Sequence, residues 1–166
     1  MEVRELAGRL SVRFPGAAVA RDEVTVVVGR EELLAAMDWL RDESDFSFDF
    51  LSDLSATDWP GREPRFWVAY HLYSLAHGQR VRVKVGVTED DPHVPSVVSL
   101  YPTADWHERE IFDFFGLVFD GHPDLRRIIM PDDWEGHPLR KDHPLGGVPT
   151  RYKHGAFIPP ADTRRF

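Results

Sequence analysis

The sequence of 166 residues contains no cysteine. That absence excludes disulfides, a thiol nucleophile, an iron–sulfur cluster held by the chain's own thiolates and a cysteine-ligated zinc site. Long apolar runs are missing too: none exceeds five residues, as in Phe66–Tyr70, whereas a membrane-spanning helix takes about 20. The opening Met1-Glu2-Val3-Arg4-Glu5 has no apolar signal region and is too acidic for a transit peptide, so the chain is expected to stay soluble on the side where it is made. Basic charge is scarce: 20 Lys and Arg face 28 Asp and Glu, a net charge of −8 that disfavours nucleic acid and anionic lipid as general partners. Neither Gly-x-Gly-x-x-Gly, a phosphate loop ending in Gly-Lys-Ser/Thr, Gly-x-Ser-x-Gly nor His-Glu-x-x-His occurs, so none of the active sites built on those motifs is encoded.

What is present suits a soluble globular protein of one folding unit: 42% apolar, 12% aromatic and 29% charged residues. Val3, Leu6, Ala7 and Leu10 recur at helical spacing and predict an amphipathic helix ending at Pro15-Gly16. A short strand is expected at Val24–Val28, then a helix from Glu31 to about Glu43 with Leu33, Leu34, Met37 and Leu40 on its apolar stripe and two acids in its first turn. The period then changes to two. Phe46, Phe48 and Phe50 predict one strand, Phe66, Val68, Tyr70 and Leu72 another, and Val81, Val83, Val85 and Val87 a third, the last two joined by a hairpin loop around Ala76–Gln79. Asp105–Phe115 predicts a helix with a capping box between Asp105 and Glu108 and a stop at Gly116. The fold class is therefore α+β: an antiparallel or mixed sheet covered by helices, followed by an extended Pro/Gly-rich C-terminal arm.

The arm begins at Gly121. Residues 121–166 carry 7 of the 13 prolines and 8 Lys/Arg against 6 Asp/Glu, net +2, whereas residues 1–120 hold 12 against 22, net −10. Such a stretch cannot bury enough of its own surface to offset its ordering entropy, so it is expected to lie against the 1–120 domain or a partner. Ile128-Ile129-Met130, Trp134 and Phe157-Ile158 supply apolar anchors.

Three features carry candidate chemistry. Glu108, Glu110 and Asp113 share one helix and can serve acid–base work, but Arg109 stands four residues before Asp113, the spacing of an ordinary ion pair. His107, His122, His137 and His143 interleave with Asp132, Asp133 and Asp142, residue types that ligate zinc or iron, at spacings that match no compact metal motif. Gly121-His122-Pro123-Asp124-Leu125-Arg126-Arg127 is echoed by Gly136-His137-Pro138-Leu139-Arg140-Lys141, each copy presenting two adjacent basic residues suited to pairing with acids of this chain or a neighbour. On these grounds alone the chain reads as an α+β binding or assembly module with an extended arm.

The run Glu108-Arg109-Glu110-Ile111-Phe112-Asp113-Phe114-Phe115-Gly116, followed by Gly121-His122-Pro123-Asp124-Leu125-Arg126-Arg127-Ile128-Ile129-Met130-Pro131, resembles the signature of the thirty-kilodalton subunit family of respiratory complex I, NADH:quinone oxidoreductase. The resemblance continues through Asp133–Asp142 and upstream in Asp49-Phe50-Leu51-Ser52-Asp53-Leu54 and Tyr70-His71-Leu72-Tyr73-Ser74. It implies a structural subunit of the hydrophilic arm, peripheral on the cytoplasmic face of the bacterial cell membrane, bracing the quinone-site and iron–sulfur subunits. FMN, iron–sulfur clusters, NADH and quinone would be held by other chains, with no catalytic, cofactor-binding or metal-ligating residue in this one. The expected partner interface is Glu108, Arg109, Glu110, Asp113, His122, Arg126, Arg127, Trp134, His137, Arg140 and Lys141. Two alternatives remain open: the same scaffold role in a related membrane-bound hydrogenase or other donor:quinone dehydrogenase, and a free-standing metal-dependent enzyme built on the arm's His and Asp residues.

Overall fold

The computed structural model describes residues 2–144 and the backbone of residues 150–152 and 155–157. Helix α1 (Val3–Ser11) buries Leu6, Ala7 and Leu10. It stops short of Pro15-Gly16 because the Arg13 and Phe14 N–H groups both close on the Leu10 carbonyl, which turns the chain and brings Phe14 into the core. Strands β1 (Ala18–Ala20) and β2 (Glu23–Val27) form a hairpin. Its turn was not legible: Arg21 and Asp22 take φ of 53° and 58°, a geometry usually marked by Asn-Gly.

A 3-10 turn at Arg30–Glu32 leads into α2 (Leu33–Asp42), so the two acids expected in the first helical turn lie just before it. Leu33, Ala36, Met37 and Leu40 are buried, while Leu34 is exposed. The strand expected through Phe46, Phe48 and Phe50 does not form. Ser47 has φ 45°, the Ser47 and Phe48 N–H groups fold back onto the Glu43 and Leu40 carbonyls, and Phe14, Trp39, Phe46 and Phe48 pack ring against ring in succession. Burial of a bulky aromatic cluster at the edge of the core has overridden the local alternation. Phe50 is exposed and begins β3 (Phe50–Asp58), which carries a register shift between Leu51 and Asp53.

Strands β4 (Phe66–Ser74) and β5 (Gln79–Val87) keep the predicted alternation, burying Phe66, Val68, Tyr70 and Leu72 against Val81, Val83, Val85 and Val87. The five-stranded sheet has the order β1-β2-β5-β4-β3. Its neighbours are antiparallel except β2 and β5, which run parallel from Val24 opposite Val81 to Val27 opposite Lys84, so the sheet is mixed. A parallel pair needs a long crossover, supplied here by α2 and the β3–β4 hairpin.

Helix α3 (Ala104–Phe115) packs along β3. It is flanked by two three-residue strands that pair in parallel, β6 (His93–Pro95) and β7 (Val118–Asp120). The helix ends as expected at Gly116, in the left-handed conformation with φ 74°. Beyond the sheet, β8 (Thr150–Tyr152) and β9 (Gly155–Phe157) form a separate antiparallel pair. The Phe157 side chain and Ile158, named as anchors of the arm, lie outside the described residues.

Candidate functional site

Two signature acids of α3, Glu108 and Asp113, are buried. The capping box expected between Asp105 and Glu108 does not form; Thr103 occupies the N-cap without a side-chain bond. Glu108 is fully buried, and its Oε1 accepts the Val97 N–H at 2.8 Å while the Ser96 hydroxyl donates to Oε2 at 2.6 Å. The β6–β7 pair makes this possible, because the Ser96 N–H bonds the Asp120 carbonyl and holds Ser96 and Val97 beside the helix. Burial pushes the Glu108 carboxyl up to about 7, against the lowering effect of those two hydrogen bonds and with the aid of the nearby Asp105 charge.

His122, from the first Gly-His-Pro segment, sits over the same end of α3. Its Nδ1 accepts the Asp124 N–H at 3.0 Å, which leaves Nε2 to donate to the Asp105 carbonyl at 3.2 Å. Nε2 also lies 4.0 Å from Glu108 Oε2.

The ion pair expected between Arg109 and Asp113 does not form either. Arg109 lies over the exposed ring of Trp106, 4.9 Å from its centroid, and its Nε donates to the Arg126 carbonyl at 3.4 Å. Asp113, fully buried, holds the arm instead. Its Oδ2 accepts three successive backbone N–H groups, from Ile128, Ile129 and Met130, at 3.2, 2.8 and 2.9 Å, and Oδ1 accepts Arg127 Nη1 at 2.9 Å. Burial alone would raise this carboxyl; the Met130 and Ile129 N–H groups, Arg127 and the Ile128 N–H outweigh it and hold it below the usual range.

The second Gly-His-Pro segment closes over the other end of α3. His137 Nδ1 donates to the Asp113 carbonyl at 2.9 Å, and Arg127 Nη2 donates to the Gly136 carbonyl at 3.0 Å. A Cβ on Gly116 would come within 2.6 Å of the His137 ring, so this position needs glycine both for its φ and for the imidazole packed on it. Four residues further on, the arm meets the sheet. Arg65, just before β4, makes two bonds to buried Asp58 at 2.8 and 2.9 Å and reaches Glu89 and Asp142. Arg140 joins Glu89 and Asp142, and both guanidiniums lie over the Phe66 ring. The Lys141 N–H donates to Asp58 Oδ2 at 2.8 Å.

Of the eleven expected interface residues, seven fasten the arm to the body within this chain: Arg109, through the Arg126 carbonyl, with Asp113, His122, Arg127, His137, Arg140 and the Lys141 backbone. Glu108 braces the β6–β7 connection beside them. The Arg126 side chain is exposed and meets only its neighbour Asp124, the Lys141 side chain is exposed, and Glu110 is half-exposed. Trp134 is half-buried, its indole N–H enclosed without an acceptor among the described residues. Sequence reasoning missed Asp58, Arg65 and Glu89 and read Asp142 only as a candidate metal ligand; the four lie up to 84 positions apart and share no periodicity. The histidines considered as metal ligands are spread over both ends of α3, and the described residues contain no group of three or more His, Asp or Glu placed to hold a metal ion.

The fold and site define a small α+β domain whose buried Asp113, with His122, His137 and several arginines, fastens its own C-terminal arm. The chain is a member of the 30 kDa subunit family of respiratory-chain NADH dehydrogenase, whose model matches residues 26–149. It is 50% identical to the NADH-quinone oxidoreductase C-subunit of Nocardioides sp. strain JS614, over 94% of this chain and 62% of that protein. It is 49% identical to the corresponding protein of Mycobacterium marinum, over 97% and 69%. The chain thus spans less than two thirds of the length of the former relative. Among solved structures, a trypsin-resistant fragment of Nqo5 matches with a TM-score of 0.64 at 33% identity, over 75% of this chain and all of the fragment. A chain of a membrane-bound sulfane sulfur reductase, an archaeal respiratory membrane complex, matches with a TM-score of 0.69 at 28% identity, over 86% and 85%.

Proposed function

We propose that the chain is a structural subunit of the hydrophilic arm of an NADH:quinone oxidoreductase, seated against the quinone-site and iron–sulfur subunits on the cytoplasmic face of the membrane. In this reading FMN, the iron–sulfur clusters, NADH and quinone belong to its neighbours, and this chain holds them at fixed separations while contributing no catalytic group. The observation that carries the reading is that the family signature is invested in fixing the arm's path: Asp113 alone orders three consecutive amides of the arm and Arg127. No described helix is long and apolar enough to cross a membrane, which suits a subunit attached through its partners.

Within the expected interface, Glu110, Arg126, Trp134 and Lys141 make the partner contacts, and the internally bonded residues act by shaping the surface that presents them. Tagged chain purified from gently solubilised membranes should carry flavin and iron–sulfur subunits in a band that oxidises NADH on a native gel. Recovery alone would refute the proposal. The likeness to a chain of the sulfane sulfur reductase complex favours a second reading, the same scaffold role beside a different electron donor; the identity of the co-purifying donor subunit separates the two. A metal-dependent enzyme would appear as stoichiometric metal lost on His122→Ala and His137→Ala.

A further inference from the structure

Strand β3 lies at one border of the five-stranded sheet: one edge pairs with β4, and the other carries no strand among the described residues. A nine-residue border strand is long for an open edge, and proteins usually cover or interrupt such an edge. Here the cover is partial. The register shift between Leu51 and Asp53 interrupts it at one end, and the arm passes the other, where the Leu139 N–H bonds the Phe114 carbonyl and the Lys141 N–H bonds Asp58. Between them remains a cleft of about 220 Å³. Four consecutive β3 residues, 53–56, line it. Successive side chains alternate between faces, so a cleft bounded by all four runs along the strand's edge.

Its remaining walls are apolar, from Ile111 and Phe114 of α3 and from Leu139 of the arm, which is 48% exposed. At its rim stand two acids, exposed Asp53 and half-exposed Glu110, and neither has an ion pair or hydrogen bond within the described chain. Glu108 and Asp113, the fully buried acids of the same helix, are both hydrogen-bonded within the chain. An apolar trough beside an unpaired strand edge, flanked by two uncompensated carboxylates, is complementary to an extended segment with apolar side chains and a lysine or arginine among them.

We infer that the β3–α3 cleft receives an extended, basic segment of a partner subunit, which adds as a strand to the outer edge of β3 and sets its cation between Asp53 and Glu110. This rests on the assembly role proposed above and locates it. The partner contact expected at Glu110 then has a defined chemistry, and Leu139 is left exposed by this chain because the partner covers it.

The absence of cysteine allows a single reporter. With Ser55→Cys on the cleft's rim, full-length chain in native membranes is treated with a short thiol-to-amine cross-linker, with Val12→Cys at the end of α1 as the control. The expected result is a cross-link from position 55 to a lysine in an extended segment of one neighbouring subunit, absent from position 12. Asp53→Lys with Glu110→Lys should lower recovery of the assembled complex about tenfold or more, and reversing the charge of the cross-linked basic residue should restore it. Asp53→Asn with Glu110→Gln, which introduces no repulsion, should give a smaller loss in the same direction, with an unchanged circular dichroism spectrum for each variant. Full assembly of both double variants, or a cross-link from position 55 to a helical surface only, would overturn the cleft assignment while leaving the assembly role intact. Failure of the unaltered chain to co-purify with any respiratory subunit would overturn both.

Discussion

The body and the arm are held by different forces. In the body, the sheet and helices close over side chains such as Leu10, Val26, Leu40, Val68 and Val83, each fully buried. Removal of each from water contributes about 1.5–3 kcal/mol, and no single contact decides the outcome. Residues 121–144 have no such core of their own, although Leu125 packs, partly buried, against that of the body. They are fixed at a few polar points: His122 on the start of α3, Asp113 gripping Arg127 and three amides, His137 against Gly116, and the Arg65–Asp58–Arg140–Asp142 group. Apolar burial gives cohesion without direction, whereas hydrogen bonds to a buried charge specify which atom sits where. A segment without a core of its own takes its path from the second kind.

The sharpest way to break the contrast is Asp113→Ala. It leaves Arg127 without its buried partner and three amides without an acceptor, and should cost about 3–5 kcal/mol. Hydrogen exchange should quicken at residues 128–130 first, with β4 and β5 protected; equal loss in the sheet would mean that arm and body form one cooperative unit. Leu40→Ala should do the converse, lowering the whole unfolding transition by about 2–5 kcal/mol and leaving proteolysis of the arm in the folded state unchanged.

The pH dependence separates the regions by sign. Glu108 titrates near 7 when folded, well above its unfolded value of 4.5, so the native state binds more protons between those values and stability declines as pH rises from about 4.5 to 7. Glu108→Gln, whose amide oxygen can still accept the Val97 N–H and whose NH2 can donate to Ser96 Oγ in a reversed bond, should remove that decline, about 3 kcal/mol across the window. The carboxylates that hold the arm, Asp58 of β3, Asp113 of α3 and Asp142 of the arm itself, work the opposite way. Arg140, against burial and with help from Arg65, lowers Asp142 to about 2, and Asp58 and Asp113 are also held below their usual range. Their contribution is complete above about 4 and is lost as pH falls through their folded values, so acid should expose the arm to protease while Glu108 becomes neutral and the body gains stability. The smallest effect belongs to Gly116→Ala, about 1–2 kcal/mol for the left-handed backbone plus the clash with His137; adding His137→Ala should relieve only the clash, measured as a positive coupling in a double-mutant cycle.

The three helices and the β4–β5 hairpin were legible because each is a local pattern. Apolar residues three and four apart, or two apart, report which face is buried wherever the core then lies. The same logic failed at Phe46–Phe50, where alternation was genuine in the sequence but the rings of Phe46 and Phe48 joined Trp39 in a turn. The family signature was legible as a string, and its neighbourhood was not. Glu108 and Arg109 carried local readings, a capping box and an ion pair four residues apart. Each lost to a partner from a distant part of the chain, Ser96 with Val97 for Glu108 and the Arg126 carbonyl for Arg109.

The sequence by itself determined that this is a cysteine-free, acidic α+β protein with a proline-rich arm, and the order of its signature residues determined its family. Composition and local periodicity suffice for the first, and a long match in fixed order for the second. Only the tertiary structure decided that β2 pairs in parallel with β5, that Asp113 takes its partners from the arm and not from Arg109, and that Asp53 and Glu110 face one open cleft. Those are contacts between residues far apart in the chain, and a buried charge takes whichever donors the closed fold brings within about 3 Å of it.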